Sequence, residues 1–465
     1  MDPKFAIDPA TADDPKSEVM GMRHIVETGS VETCPGHDAE YPYGIVYRGP
    51  WETEWYGVQT SVRRHARALA KTGMPVWLTS VNHRMEYIDE DGKICVSFAD
   101  HSRLAPSVKR DVGRLTSCEF KQPLLAIEHR IFSPETIMGI VYPPKLGSLD
   151  PAFVRRVNAT TILFTVFERS EPDEETRQVA FALACLAEVW VPCKRNRRVL
   201  IESGVPEDKV VVMPHPIPEG DPVWTTPRRP PKGVVRLINI GKWEPRKAQH
   251  ELIGAFLQLF TTTANVELVI KYSDFDLAWK DYPSCPQESI ETWLANDAVK
   301  RNGWTMENVG TRIRLFKQFL PREAMVRFLA ESHIYVSSGR AEGFDMPALD
   351  AKIIGLRLVV MGHGGAEDFC TSSDVDLRGL WRTAPAHPGY GWRGARWSGH
   401  GVGDFMTSLR TAVDMELNNE PRVPIDVTPY KESTVGQAML ERCLRIVNSY
   451  EDGIEFTPAE EYRNA

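Results

Sequence analysis

The chain contains no run of about 20 apolar residues, so hydropathy offers no segment that would span a bilayer. It lacks paired cysteines: eight thiols, at positions 34, 95, 118, 185, 193, 285, 370 and 443, are scattered without a CxxC and without histidines at zinc spacing. That pattern argues against a disulfide framework or a structural metal and implies a reducing, cytoplasmic setting. The first residues, rich in Asp, Pro, Lys and Ala, carry no apolar core of the kind a signal peptide needs, and residues 1–21 read as a flexible tail. An excess of positive charge is also missing. Lys and Arg number 55 against 63 Asp and Glu, for a net charge of −8, which disfavours attraction of the whole protein to nucleic acid or anionic lipid. Two short basic stretches, Lys194 to Arg198 and Arg228 to Lys232, read as a solvated helix face and a linker. No short internal repeat is present.

What the chain does have is length and an alternating grammar. Its 465 residues, 42% of them hydrophobic and 25% charged, exceed what one core usually serves, so two domains are expected. Gly44–Tyr47 reads as a strand. Val58, Val62, His65, Ala66, Leu69 and Ala70 then recur at helical spacing, Gly73 suits the stop, and Val76–Leu78 begins the next strand. Residues 86–150, heavy in Pro and Gly, give no assignment beyond loops over a few strands. Further strands are predicted at 161–167, 188–191 and 210–213, with a short helix ending at Gly204.

Between Pro214 and Gly233 seven prolines and little apolar periodicity mark an interdomain linker. The expected division is an N-terminal Rossmann-like domain over 22–225, a C-terminal Rossmann-like domain over 226–430, and a terminal helix within 431–465 packing back on the first domain. In the second half, strands are predicted at 234–240, 266–270, 312–317, 333–336 and 358–360, with helices between them. The fold class expected is therefore α/β, two Rossmann-like sheets facing a cleft.

Three loops at strand ends carry the chemistry. Gly241 to Lys247 leaves a strand and enters a helix, and Lys242, Arg246 and Lys247 there suit a diphosphate beside a helix N-terminus. Ala341 to Asp350 repeats the strand, turn and helix pattern. Gly343 permits the tight turn, Asp345 is placed as N-cap and Pro347 suits the first helical turn, while Glu342 and Asp350 flank one pocket. The glycines of Met361 to Phe369 allow close backbone approach to a ligand.

In this order the loops resemble the retaining family-4 glycosyltransferases of GT-B fold. Gly241-Lys242 through Lys247 resembles their G-R-x-x-x-x-K loop with Lys for Arg, and Glu342 to Asp350 resembles E-G-F-x-x-P-x-x-E with Asp for the last Glu. Gly364-Gly365 matches their following turn, and the likeness runs from about residue 160 to 370. The resemblance implies transfer of a hexose from a UDP- or GDP-sugar with retention of configuration and no obligatory metal or other cofactor. Lys242 and Lys247 would hold the diphosphate. Gly241, Glu342, Gly343 and the backbone of Phe344, Asp345 and Met346 would surround the donor, with Lys242, Lys247 and Glu342 as the catalytic set. Asp350 would take the ribose hydroxyls, one methylene short of the usual Glu.

Many members carry a His after the strand that here ends Phe167-Glu168. Its place makes Glu168 a candidate for the acceptor side, together with Tyr56, Gly57 and His129, with Trp55 beside them. Two other readings fit the same residues: a non-catalytic GT-B-like protein that binds nucleotide sugars, and a transferase acting on modified DNA or on protein. The negative charge disfavours the nucleic acid. Donor base, sugar, acceptor and oligomeric state are not encoded in the spacing.

Overall fold

A computed structural model describes residues 44–50, 57–74, 76–79, 87–88, 94–95, 123–141, 158–169, 171–273, 281–361, 364–377, 383–387 and 394–451. Two parallel six-stranded sheets dominate it. The N-terminal sheet comprises β1 (Gly44–Arg48), β2 (Val76–Thr79), β5 (Pro123–Ile131), β6 (Thr161–Val166), β7 (Glu188–Val191) and β8 (Val210–Val212), in the order β2-β1-β5-β6-β7-β8. Two short strands, β3 (Tyr87–Ile88) and β4 (Ile94–Cys95), form a separate antiparallel pair. Strand β5 is a central strand within the stretch left unassigned above. Its run PLLAIEHRI changes from apolar to charged midway, because Glu128 and Arg130 form a buried ion-pair cluster with Arg48 of the neighbouring strand.

The C-terminal sheet comprises β9 (Val235–Lys242), β10 (Val266–Ser273), β11 (Ile313–Phe316), β12 (Ile334–Val336), β13 (Arg357–Val360) and β14 (Val375–Asp376), in the order β11-β10-β9-β12-β13-β14. A small antiparallel pair, β15 (Thr383–Pro385) and β16 (Arg396–Ser398), lies apart. The strands of both large sheets read as nearly continuous apolar runs because helices cover both faces. On one face of the C-terminal sheet Leu252, Phe256, Phe405 and Leu409 pack over Leu237, Leu268 and Ile270; on the other, Leu349, Ala351 and Val326 pack over Ile238 and Leu358.

The chain crosses between the sheets twice, and the two crossings are tied together. The amide of Ile217 donates to the carbonyl of Tyr430 (2.8 Å), and the amide of Glu432 donates back to Ile217 (3.2 Å). The proline-rich segment is thus well anchored: Ile217 and Val223 are buried in the C-terminal core. Beyond the second crossing, the helix Glu432–Glu451 lays Val435, Met439, Leu440, Cys443 and Ile446 into the N-terminal core. Five such side chains contribute roughly 10 kcal/mol as an upper bound. Glu432, at the helix start, is buried against Arg67 of the helix Gly57–Ala70 and Lys71 just after it. No helix among the described residues is long and apolar enough to cross a membrane.

Candidate active site

The C-terminal sheet begins at β9 and builds outward through β10 and β11 before crossing to β12 on the other side. A crevice opens where the two directions of winding diverge, at the carboxyl ends of β9 and β12, and this is where open α/β sheets bind ligands. The loops leaving those two strands are the first two loops singled out in the sequence.

After β9, Pro245 starts a single 3-10 turn, Pro245–Lys247, and Ala248 adopts a left-handed conformation (φ 47°) before the helix Gln249–Leu259. The turn folds Lys247 back over the strand end, so that its side chain passes beside Gly241. After β12, the loop enters the helix Met346–Ile354 through Asp345, the N-cap, which accepts from the amide of Ala348 (3.2 Å). Asp345 is itself left-handed at φ 71°, a strained conformation for a non-glycine residue. It is held there by hydrogen bonds donated by Ser337 and Tyr335. Burial, followed by the nearby Glu342 carboxylate, pushes Asp345 up to about 6.

The two loops meet in an ion pair. Lys247 Nζ donates to both oxygens of Glu342, at 2.7 and 2.9 Å. Arg246, almost fully buried, lies alongside: its Nη1 donates to the carbonyl of Ala341 (2.8 Å) and stands 3.5 Å from Glu342, while its Nη2 donates to Glu244 (2.7 Å). Burial alone would raise the Glu342 carboxyl, but Lys247 and then Arg246 outweigh it and hold Glu342 below the ordinary carboxylate value. Lys242, at the end of β9, is lowered by burial, partly offset by Glu244. The backbone of Glu342 is fixed as well, its carbonyl accepting from the amide of Gly365 (3.0 Å).

Two glycines make these contacts possible. A Cβ on Gly343 would stand 2.1 Å from Val166 Cγ1 of the N-terminal sheet, and one on Gly365 would stand 2.0 Å from the Cα of Phe344. The loops therefore pack backbone against neighbour, with Phe344 itself buried against His215, Phe369 and Tyr430. The N-terminal domain closes the far side. Glu168, after β6, approaches Arg246 at 3.3 Å, and the buried Cys193 thiol donates to the carbonyl of Gly343 (3.2 Å). Burial pushes that thiol up to about 12, so it stays a protonated donor. Among the described residues the cavity left at the crevice measures about 10 Å³, room for roughly one water.

The structure thus gathers Gly241, Lys242, Lys247, Glu342, Gly343, Phe344 and Asp345 around the ends of β9 and β12, with Met346 opening the adjoining helix and Glu168 facing them from the other domain. Four sequence expectations need correction or placement. Asp350 does not face this crevice: it is buried one side away, bound by both guanidinium nitrogens of Arg322, which also grips Asp221. With its carboxylate held in that ion-pair node it is not an open acceptor for ribose hydroxyls. His129 does not face a cleft either. It is fully buried, hydrogen bonded to Tyr47 (2.8 Å) and Ser61 (3.2 Å) and stacked on Phe164, because its position on β5 points it into the core.

Gly57 is the first residue of the helix Gly57–Ala70, after β1. Trp55, Tyr56, Gly362 and His363 lie outside the described residues. The Lys194–Arg198 stretch, read as a solvated face, begins the helix Lys194–Glu202, where the amide of Lys194 donates to Asp368 and Arg198 pairs with Glu367 of the other domain.

Sequence reasoning placed Arg246 among the cations of the loop but not in the catalytic set, and it passed over Ser337 and Ser338. Their signal is position alone: they follow the last residue of β12, where a polar pair has no reason to be buried unless it supports the crevice. Ser338 Oγ donates to the carbonyl of Lys247 and accepts from Asn239 Nδ2 (2.9 Å), which fixes the turn that aims that lysine.

No protein-family model and no curated protein sequence matches the chain. Solved structures do. The lipopolysaccharide outer core galactosyltransferase WaaB in its apo form aligns with a TM-score of 0.51 at 12% identity, covering 86% of this chain and 99% of that one. The E. coli trehalose-6-phosphate structure bound with UDP-2-fluoro glucose aligns with a TM-score of 0.52 at 10% identity, covering 88% and 98%. The architecture is the GT-B fold: two Rossmann-like domains meeting at the carboxyl ends of their strands.

Proposed function

We propose that this protein is a glycosyltransferase that moves a hexose from a nucleotide-diphosphate sugar to an acceptor bound against the N-terminal domain. The observation that carries this reading is the Lys247–Glu342 pair, with Lys242 and Arg246 beside it, at the switch point of a GT-B fold. The neighbour bound with UDP-2-fluoro glucose shares that fold, which makes a UDP-sugar the first donor to try and a GDP-sugar the second. The resemblance to retaining family-4 enzymes adds retention of configuration and independence from metal, with Asp350 excepted from the donor contacts.

In this reading the charge that develops on the departing diphosphate is met by Lys242, Arg246 and Lys247, fixed in advance by the turn after β9 and by their carboxylate partners. Preorganised cations of this kind stabilise a developing anion without reorganisation at the moment of reaction. Glu342, backbone-anchored and ionised, accepts hydrogen bonds donated by hexose hydroxyls. In such a mechanism the leaving phosphate oxygen takes the acceptor's proton, so no separate base is required.

The arrangement also has a cost. The cations are neutralised by Glu168, Glu244 and Glu342 in a nearly filled crevice, so donor entry requires the seam between the domains to open and Lys247 to leave Glu342. The test is incubation of the full chain with UDP-glucose, UDP-galactose and GDP-mannose, following nucleotide release with and without a chelator. Turnover that Lys247→Ala abolishes is expected. Equal turnover in that variant sinks the assignment, and tight donor binding with no release across a broad acceptor panel would make the protein a nucleotide-sugar binder instead.

A further inference from the structure

A cavity of about 530 Å³ lies on the opposite face of the C-terminal domain, at the amino ends of its strands. Its walls come from the end of the interdomain linker (Arg228, Gly233), the residues just before β10 and β12 (Asn265, His333), and the segment that follows the helix Val402–Leu417, up to Arg422. This is the wrong end of the sheet for the donor chemistry described above, and no residue is shared between the two sites.

The charge balance of this pocket is uneven. Arg228, Arg357 and Arg422 all converge on the single carboxylate of Glu416: Arg357 Nε donates to it at 2.9 Å, Arg422 Nη2 binds it closely, and Arg228 Nη2 stands 3.6 Å away. Arg357 is otherwise satisfied, by the carbonyls of Ser373 and Glu420. Arg228 and Arg422 are not: Nε and Nη2 of Arg228 and Nε of Arg422 are buried nitrogens without a hydrogen-bond acceptor. Three arginines on one carboxylate leave an excess of positive charge, which an anion in the adjoining pocket would offset. The field is felt by His333, which burial and then Arg228, Arg422 and Arg236 lower to about 4. Its Nδ1 accepts from the amide of Arg236 (3.1 Å), which leaves the Nε2 side as a neutral donor.

We propose that this pocket binds a phosphate group, free or carried on a small metabolite, through Arg228 and Arg422. Planar guanidiniums suit phosphate oxygens in paired hydrogen bonds. The volume lies within the range of small-molecule sites and exceeds what a bare phosphate needs, so a phosphorylated metabolite fits it best, its body against Asn265 and Asn419. Arg228 belongs to the first chain crossing and Arg422 to the approach to the second. A ligand held by both therefore ties the two crossings to the same end of the donor domain.

The experiment is calorimetric titration of the full chain at low salt with inorganic phosphate and, separately, ribose 5-phosphate. Binding is expected that survives Lys247→Ala, weakens at least about tenfold in Arg228→Gln, and falls as salt rises. Tighter binding of ribose 5-phosphate identifies a metabolite site, and equal binding identifies a site for the free anion. Since Arg228→Gln disturbs the Glu416 cluster, a second variant keeps all three arginines: Asn419→Asp, at an exposed left-handed position (φ 53°) that Asp tolerates, adds a repelling carboxylate and is expected to weaken binding several-fold. No binding of either probe at about 10 mM, or binding lost in Lys247→Ala and unchanged in both pocket variants, overturns the proposal.

Discussion

The carboxylate of Glu168 stands 3.3 Å from the guanidinium of Arg246, and through that contact the N-terminal domain adds a negative charge to the cationic loop of the other domain. Burial, with Arg246 pulling the other way, leaves the Glu168 carboxyl raised. Its ionised form opposes any anion that would use Arg246. Glu168→Gln is therefore expected to tighten UDP binding by roughly three- to tenfold, as removal of one like charge near a partly screened site should. Calorimetry of UDP binding to both proteins decides it. A weaker UDP complex in the variant would mean that Glu168 positions the loop more than it repels the ligand.

Lys247 and Glu342 depend on one another more than the fold depends on either. Lys247→Ala leaves the Glu342 carboxylate with Arg246 alone in a buried site, at a cost of about 2 kcal/mol, less than a fully buried pair because the lysine end retains some exposure. The double variant Lys247→Ala with Glu342→Ala removes the stranded charge and should recover most of that stability without recovering turnover. Denaturant midpoints together with nucleotide release separate the two effects. A double variant as unstable as the single one would count against charge stranding as the cause.

Asp350 distinguishes an ion-pair node from a ribose contact. Its partner Arg322 also holds Asp221, to which Arg64 of the N-terminal domain comes within 3.5 Å. Asp350→Asn should lower the unfolding free energy by about 2 kcal/mol, read from denaturant midpoints, and leave the UDP dissociation constant within about twofold. The reverse pattern, intact stability with much weaker UDP binding, would restore the ribose role.

A buried histidine cluster predicts the acid response. Ser61 Oγ lies within hydrogen-bond distance of His65, His129 and His215, at 3.3, 3.2 and 2.7 Å. Burial lowers all three: His65 to about 4, and His129 and His215 well below their ordinary value, with neighbouring histidines and then Arg64 or Arg130 adding to it. Because the folded values lie below the unfolded value near 6.5, the unfolded chain binds more protons at mildly acidic pH. Stability from this cluster is therefore complete above about pH 6.5 and is lost as pH falls towards 4, His65 alone contributing on the order of 3 kcal/mol. Thermal midpoints should fall by several degrees between about pH 7.5 and pH 5, and His65→Gln should flatten that dependence. A midpoint flat over this range would refute it. Through His215, which packs edge-on to Phe344 (4.8 Å), the same cluster supports the loop after β12.

Most of both sheets was legible because buried parallel strands announce themselves locally. Runs such as VVRLINI and TILFTVF and the glycine stops at Gly73 and Gly204, both at positive φ, need no distant partner to be read. Strand β5 was not legible, since Glu128 and Arg130 look like surface residues until Arg48 from another strand is set beside them.

The same division applies to the site. The amino-acid sequence by itself determined which loops carry Lys242, Lys247, Glu342 and Asp345, because strand, turn and helix signals lie within a few residues of each other. Tertiary structure alone decided which carboxylates those cations meet. Lys247 and Glu342 are brought together by the crossover from β11 to β12, Asp350 is claimed by Arg322 from a neighbouring helix, and His129 is turned into the core by its register on β5. Ion pairs and burial depend on distances across the fold, and spacing along the chain does not contain them.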